Sequence, residues 1–420
     1  MVSERVPTKR QSGGGLVSRR VEMYESTPKH NNKSLPISPS NKFSTTSSSS
    51  RTAPQAHGQL RSNIRTKNNN AASSGKSWVT TATAAQESRD ARDDDNAAVD
   101  QPTYAGASLI EDGVQQYALG DYEAAIQSFH TALQTHRVSV GDNHISVALT
   151  LGNLGAAYLQ MGELDMAESV LLESLRIKQH CRSQLAAPPS PSVTIIRLAD
   201  TLNNLGNCAN LRGDYDRSLR YYQDALADLQ TNHDGDLPTM MLVNTHYNIG
   251  RLEIQRQNWE PAKRVLTEAY RWTKKLYGPS HEFVAQTLDL MGLAQLSTAE
   301  YDAAMVSFTQ ALGLFRQSHG PLHLTVAHSL FNVGMVREAK GQLLDALEAY
   351  STTKDLYLRL GATTTENHIG FQTVLESIAN VEARIMAQEE EDDERKQQQE
   401  EQSLNVPTTT ETSTKAQQFL

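Results

Sequence analysis

The stretch GAAYLQMGELDMA, residues 155–167, decides how this chain folds, because it recurs in altered form five more times. GVQQYALGDYEAA begins at Gly113, GNCANLRGDYDRS at Gly206, GRLEIQRQNWEPA at Gly250, GLAQLSTAEYDAA at Gly292 and GMVREAKGQLLDA at Gly334. From Gly113 onward the spacings are 42, 51, 44, 42 and 42 residues, and the register inside each unit never slips. Seven residues after each glycine stands Gly120, Gly162, Gly213, Gln257, Ala299 or Gly341. Twelve after it stands Ala125, Ala167, Ser218, Ala262, Ala304 or Ala346, and sixteen after it Phe129, Leu171, Tyr222, Leu266, Phe308 or Tyr350. A fixed period of this length is the mark of a repeat array.

Each unit reads as a helix, a turn and a second helix. Apolar residues around the leading glycine recur at helical spacing, as in Leu151, Leu154, Tyr158 and Leu159. A Gly-Asp-Tyr type turn then stops the first helix in a left-handed conformation, and a second amphipathic helix follows, such as Tyr122 to Arg137. Glycine inside a helix costs about 0.5–1 kcal/mol relative to alanine. Its return in every unit implies a packing task. The expectation is that it faces the small residue at offset twelve, so that two helices approach closely above the bulky residue at offset sixteen.

This pattern resembles the tetratricopeptide repeat, with W-x2-L-G-x2-Y…A-x3-F as its sketch. GDNHISVA at 141–148, GPSHEFVA at 278–285 and GPLHLTVA at 320–327 make it similar to the 42-residue repeats of kinesin light chains, as do LGNLG at 151–155 and LNNLG at 202–206. The resemblance implies an all-α, right-handed solenoid of six helix pairs over 104–361, with a concave groove for a peptide or protein and with kinesin heavy chain among the candidate partners. Residues 1–100 carry none of the heptads through which that family meets its heavy chain. The Gly-x-x-His signature is missing before repeats three and four, where CRSQLAAPPSPS (181–192) and QTNHDGDLPT (230–239) stand instead.

The ends differ from the array. Formal charge is −9 overall, yet residues 1–76 carry 13 Lys/Arg against 3 Asp/Glu. Too few apolar residues lie there to offset the entropy of folding, so 1–103 reads as a disordered basic, Ser/Asn-rich tail. Its charges are scattered and its aromatics few, which argues against nucleic acid. Phe371, Val374, Leu375, Ile378, Val381 and Ile385 predict a capping helix over 362–388. The segment 389–420, with EEEDDERKQQQEEQ at 389–402, reads as a disordered acidic and Gln-rich tail or a solvated helical extension.

No run of residues is long and apolar enough for a membrane span, and MVSERVPTKR lacks the apolar region of a signal peptide. With Cys181 and Cys208 the only cysteines, neither a disulfide framework nor a cysteine zinc site is expected. The composition points to the cytoplasm, with the nucleus as an alternative. The chain shows no P-loop, dinucleotide fingerprint or HExxH motif, so no catalytic residue, metal site or cofactor is expected and the chain reads as a non-enzyme.

Function is therefore sought on the inner face. Positions three before, one after and four after each leading glycine should point inward. They are Asn203, Asn207 and Asn210 in repeat three, and Tyr247, Arg251 and Ile254 in repeat four. Asn244 and Asp289 flank them, as does Asp200. Amides of this kind suit an extended peptide, and Arg251 suits a carboxylate. The alternative is ordinary solvated surface. A second series, Asn153, Asn204, Asn248 and Asn332, lies two before the glycines and reads as a structural bond between neighbouring repeats. The function expected is an adaptor or scaffold binding its partner in this groove. Two alternatives are a kinesin-linked cargo adaptor and an assembly subunit that binds through its convex face or loops.

Overall fold

A computed structural model describes residues 101–184, 196–231, 239–361 and 368–404. These residues form thirteen helices and no strand. The pairs are α1 (Gln101–Leu119) with α2 (Tyr122–Val140), α3 (Ile145–Met161) with α4 (Leu164–Gln184), and α5 (Ala199–Leu211) with α6 (Tyr215–Thr231). They continue with α7 (Met240–Gln255) and α8 (Trp259–Tyr277), α9 (Glu282–Ser297) and α10 (Tyr301–His319), and α11 (Leu324–Ala339) and α12 (Leu343–Arg359). A last helix, α13 (His368–Leu404), follows. Each helix packs on the next in sequence, and each first helix also touches the first helix of the following repeat. The first helices therefore form the crowded inner layer, and the second helices the outer one. This is an α-solenoid.

The glycine registers have two separate causes. At offset seven the backbone is left-handed, with φ of 77–81° at Gly120, Gly162, Gly213 and Gly341. Gln257 and Ala299 hold the same conformation at φ 60°, which costs an L-residue about 1–2 kcal/mol. The leading glycine answers a contact different from the one expected. A Cβ on Gly206 would stand 2.4 Å from Tyr222 Cε1, and one on Gly155 2.5 Å from Leu171 Cγ. In all six repeats the atom met is on the residue at offset sixteen, so that side chain, rather than the small residue at offset twelve, excludes a Cβ.

The Gly-x-x-His signature is a helix cap. His144, His281 and His323 have extended backbones and their Nδ1 atoms accept from Ser146 N (3.2 Å), Phe283 N (3.1 Å) and Thr325 N (3.3 Å). The imidazole thus serves as serine or aspartate does at other helix starts. Where the signature is missing, other groups take over. Thr239 Oγ1 accepts from Leu242 N (3.2 Å) at α7. At α5 the cap comes from the partner helix, where Asp228 Oδ2 accepts from Leu198 N (2.8 Å) and Ala199 N (3.1 Å).

Repeats are also tied along the outside. Arg212 pairs with Asp165 (2.6 Å), Arg256 with Asp216 (2.8 Å) and Lys340 with Asp302 (2.8 Å). In each pair a cation six residues after one leading glycine meets an acid ten after the glycine before it.

The apolar core is not continuous. One cluster centres on Phe129, Leu151, Leu154 and Ile177 in repeats one and two. Another runs from Val243 to Val381, through repeats four to six and α13. Only small clusters lie between them. Val374, Ile378 and Val381 bury α13 against the last repeat. The acidic segment continues that helix to Leu404 rather than ending it, and residues 387–401 of it are exposed. Residues 1–100 of the basic tail, most of the 181–192 loop, most of the 230–239 loop, residues 362–367 and residues 405–420 lie outside the described residues.

Candidate functional site

The gap in the apolar core is filled by polar side chains of α4 to α7. Asp200 is buried against Lys178, whose Nζ donates to both carboxylate oxygens (2.7 and 2.8 Å). Next to it Arg182 pairs with Asp228 (2.5 Å), the residue that caps α5. Together they clamp repeat three onto repeat two, although 185–195 intervene. Paired charges and completed caps are what allow such groups to be buried.

The sequence-predicted residues meet here, and all are buried. None of Asn203, Asn207, Asn210, Asn244, Tyr247, Arg251 and Asp289 exceeds 9% exposure, so the reading of a solvated amide surface does not hold. Asn203 Nδ2 donates to Ala199 O (2.9 Å) and across the repeat boundary to Thr245 Oγ1 (2.8 Å). Asn207 Oδ1 accepts from the Tyr222 hydroxyl (2.7 Å) and from Asn248 Nδ2 (3.5 Å). Asp289 Oδ1 accepts from Asn332 Nδ2 (2.6 Å). Asn248 and Asn332 thus bind the preceding repeat, as expected of their series.

The site has a cationic centre among phenols. The Arg251 guanidinium lies beside Tyr222 and Tyr247, and opposes the upward push that burial gives each hydroxyl. Tyr247 is nonetheless pushed up to about 12, with Asp289 and Glu282 adding to the effect of burial. Its ring meets Phe283 edge-on at 4.9 Å. Both phenols therefore remain protonated donors at neutral pH.

Two residues of the row stand apart. Asn210 and Asn244 make no side-chain hydrogen bond to a described residue, and their Oδ1 atoms are buried. Oδ1 of Asn203, Oδ1 of Asn248 and Oε1 of Gln255 also lack a partner. Five amide acceptors on two neighbouring inner helices are thus unmatched, where most buried polar atoms find a bond. Sequence reasoning missed the supporting set of Lys178, Tyr222, Asp228 and Thr245. Of these only Tyr222 carried a signal, through its offset from Gly206.

Family models of the tetratricopeptide repeat match residues 113–180 and 241–317, and a second such model matches 198–231. Those three segments are tetratricopeptide repeats by their match to the family's models. Among solved structures it is similar to BtubC (BKLC) from P. vanneervenii, at 17% identity and TM-score 0.45 over 63% of this chain and 94% of that one. It is similar also to Pseudomonas aeruginosa pilF, at 17% identity and TM-score 0.44 over 64% and 98%. The nearly identical TPR-like repeats assigned to a kinesin light chain of Podosopora anserina match at 13% identity and TM-score 0.42 over 53% and 99%. No curated protein matches the chain.

Tetratricopeptide repeats are protein-interaction modules, and that general role extends to this chain. Because the Gly-x-x-His residues are caps, their presence here is explained by helix starts and says nothing of a motor. Among the described residues no helix is long and apolar enough to cross a membrane, and no group of three or more His, Cys, Asp or Glu could hold a metal ion.

Proposed function

We propose that this tetratricopeptide repeat protein is a non-enzymatic adaptor that binds a peptide or protein partner on its inner face at repeats three and four. The observation that supports the reading is the buried amide row of α5 and α7, with hydrogen-bonding capacity unused at Asn210 and Asn244. A scaffold alone would gain by filling these positions with leucine, since an unmatched buried amide costs about 1–3 kcal/mol. Arg251, Tyr222 and Tyr247 add a cation and two hydroxyl groups at the same place.

The test is affinity purification of the full-length chain from its own cells beside the variant Asn210→Ala/Asn244→Ala, with circular dichroism to establish that the variant is folded. Partners lost from the folded variant support the inner face. Partners retained in full would move recognition to the outer helices, the loops or the ends, and recovery of a kinesin heavy chain would favour a motor-linked adaptor.

A further inference from the structure

The outer layer holds one helix whose charge the repeat pattern does not explain. Among the described residues α8 carries five Lys/Arg against two Glu, while none of the other five second helices has an excess of positive charge. The whole chain is at −9, so this surface opposes the general sign. Arg264, Arg271, Lys274 and Lys275 are exposed. Trp272 lies beside two of them, with the Arg271 guanidinium 4.5 Å and Lys275 Nζ 5.4 Å from its ring centre. Such contacts hold the cations at the helix surface instead of leaving them to sweep through water. Arg264 has no ion pair with a described residue, and Arg271 pairs with the half-exposed Glu268 at 2.8 Å. A surface pair of that kind is worth little, so Arg271 can change partner.

The complementary surface is on α13. Beyond Ile385 that helix runs free of the last repeat, and residues 387–401 are exposed throughout, with eight Asp/Glu against two Lys/Arg. Glu390, Glu394, Gln397 and Glu401 recur at intervals of four, three and four residues, so they share one face of the helix. None of these glutamates is in an ion pair with a described residue. On α8 Arg264, Glu268, Arg271 and Lys275 recur at the same intervals of four, three and four. Each stripe is therefore about 17 Å long.

Laid antiparallel, the two stripes match at every position. Arg264 meets Glu401, Arg271 meets Glu394 and Lys275 meets Glu390, while Glu268 falls opposite the neutral Gln397. Laid parallel, Glu268 would meet Glu394, and Arg271 would meet Gln397. We propose that α8 is a docking surface for the acidic end of α13 from a second copy of this chain, in the antiparallel register. The occupant comes from another copy because α13 is one unbroken helix from His368 to Leu404. Val374, Ile378 and Val381 fix it on the last repeat, and a helix bends only gently, so its end cannot turn back to α8 of its own array. The contact joins two different surfaces, so it is heterologous and each copy offers both halves. Exposed charges make it a transient, salt-sensitive contact rather than a permanent dimer. It uses the outer layer only and does not depend on what the inner face binds.

The experiment uses the full-length chain and sedimentation velocity over a concentration series at low and high salt. One variant reverses the basic stripe, with Arg264→Glu, Arg271→Glu and Lys275→Glu. A second reverses the acidic stripe, with Glu390→Lys, Glu394→Lys and Glu401→Lys, and a third carries both sets. All of these positions are exposed, and circular dichroism checks that each variant is folded. The expected result is concentration-dependent self-association of the wild type that high salt weakens at least ten-fold. Each single-stripe variant should associate at least ten-fold more weakly than the wild type. Mixing the two, or combining both sets in the third variant, should restore association.

A wild type that stays monomeric throughout the series would overturn the proposal. So would variants that each lose association but fail to recover it when mixed, because recovery requires these two stripes to meet. Loss on reversing the acidic stripe with none on reversing α8 would also overturn it, by sending the acidic end to other cations such as those of residues 1–76. If reversing α8 alone weakened association, its partner would not be the face of Glu390, Glu394 and Glu401, and the proposal would fall.

Discussion

Replacing Gly206 with alanine tests the packing logic of the whole array. The new Cβ would lie 2.4 Å from Tyr222 Cε1, 2.6 Å from Cδ1 and 3.0 Å from Cζ. Carbon atoms pack best at about 3.5–4.0 Å, so the ring would have to retreat by about 1 Å. It has little room to do so. Tyr222 is fully buried, and its hydroxyl is held by Asn207 at 2.7 Å. Nor can α6 slide as a unit, because Ser218 Oγ donates to Gly206 O at 2.8 Å. Overpacking of this kind costs about 1–3 kcal/mol, and a disturbed Tyr222–Asn207 bond about 1 kcal/mol more. Alanine returns about 1 kcal/mol of helix propensity. The net expectation is a loss of about 1–3 kcal/mol.

A built-in control lies one repeat away. Gly152 is also within a first helix, but a Cβ there meets nothing nearer than Ser174 Oγ at 3.6 Å. Gly152→Ala should therefore stabilise by about 0.5–1 kcal/mol. Urea unfolding followed by far-UV circular dichroism on both variants gives the comparison. A double-mutant cycle of Gly206→Ala with Tyr222→Ala isolates the clash, since removing the ring should recover at least ~1 kcal/mol of the first loss. If Gly206→Ala matches Gly152→Ala in sign, or if the two losses simply add, the offset-sixteen contact is not what demands glycine.

Further expectations follow from other parts of the array. Burial lowers the pKa values of His136 and His246 from 6.5, so each contributes stability that is present above about pH 6.5 and lost as pH falls through its folded value; thermal melts at pH 7.5 and 5.5 should show a lower Tm in acid, and His136→Asn should flatten the difference. Lys178→Ala leaves Asp200 buried without its cation and should cost about 3–5 kcal/mol in urea unfolding, whereas Lys178→Met with Asp200→Leu should be nearly neutral. Ala299→Gly relieves a left-handed alanine at φ 60° and should raise stability by about 0.5–1 kcal/mol, a gain that the same substitution at Ala304 should not give. Arg256→Ala removes one exposed link to Asp216 and should cost less than about 1 kcal/mol, shrinking further in high salt.

The amino-acid sequence by itself determined the repeat. Period, register and helix–turn–helix content could be read from it because each unit meets the same neighbours, so the same constraint is written six times over. It also placed Asn248 and Asn332, each of which bonds the repeat before it, although at different register positions, Asn207 and Asp289. What it could not decide is everything that happens once. The Lys178–Asp200 pair, the reach of Asp228 to the start of α5 and the cradle of Arg251 between Tyr222 and Tyr247 each join residues with no periodic counterpart. Nor could it show that Asn203, Asn207, Asn210 and Asn244 are buried. Position on a helix face says which way a side chain points, but only the neighbouring repeats decide whether water or protein waits there. In this chain they close over repeat three, where the apolar core stops and polar groups must satisfy one another across helices distant in sequence.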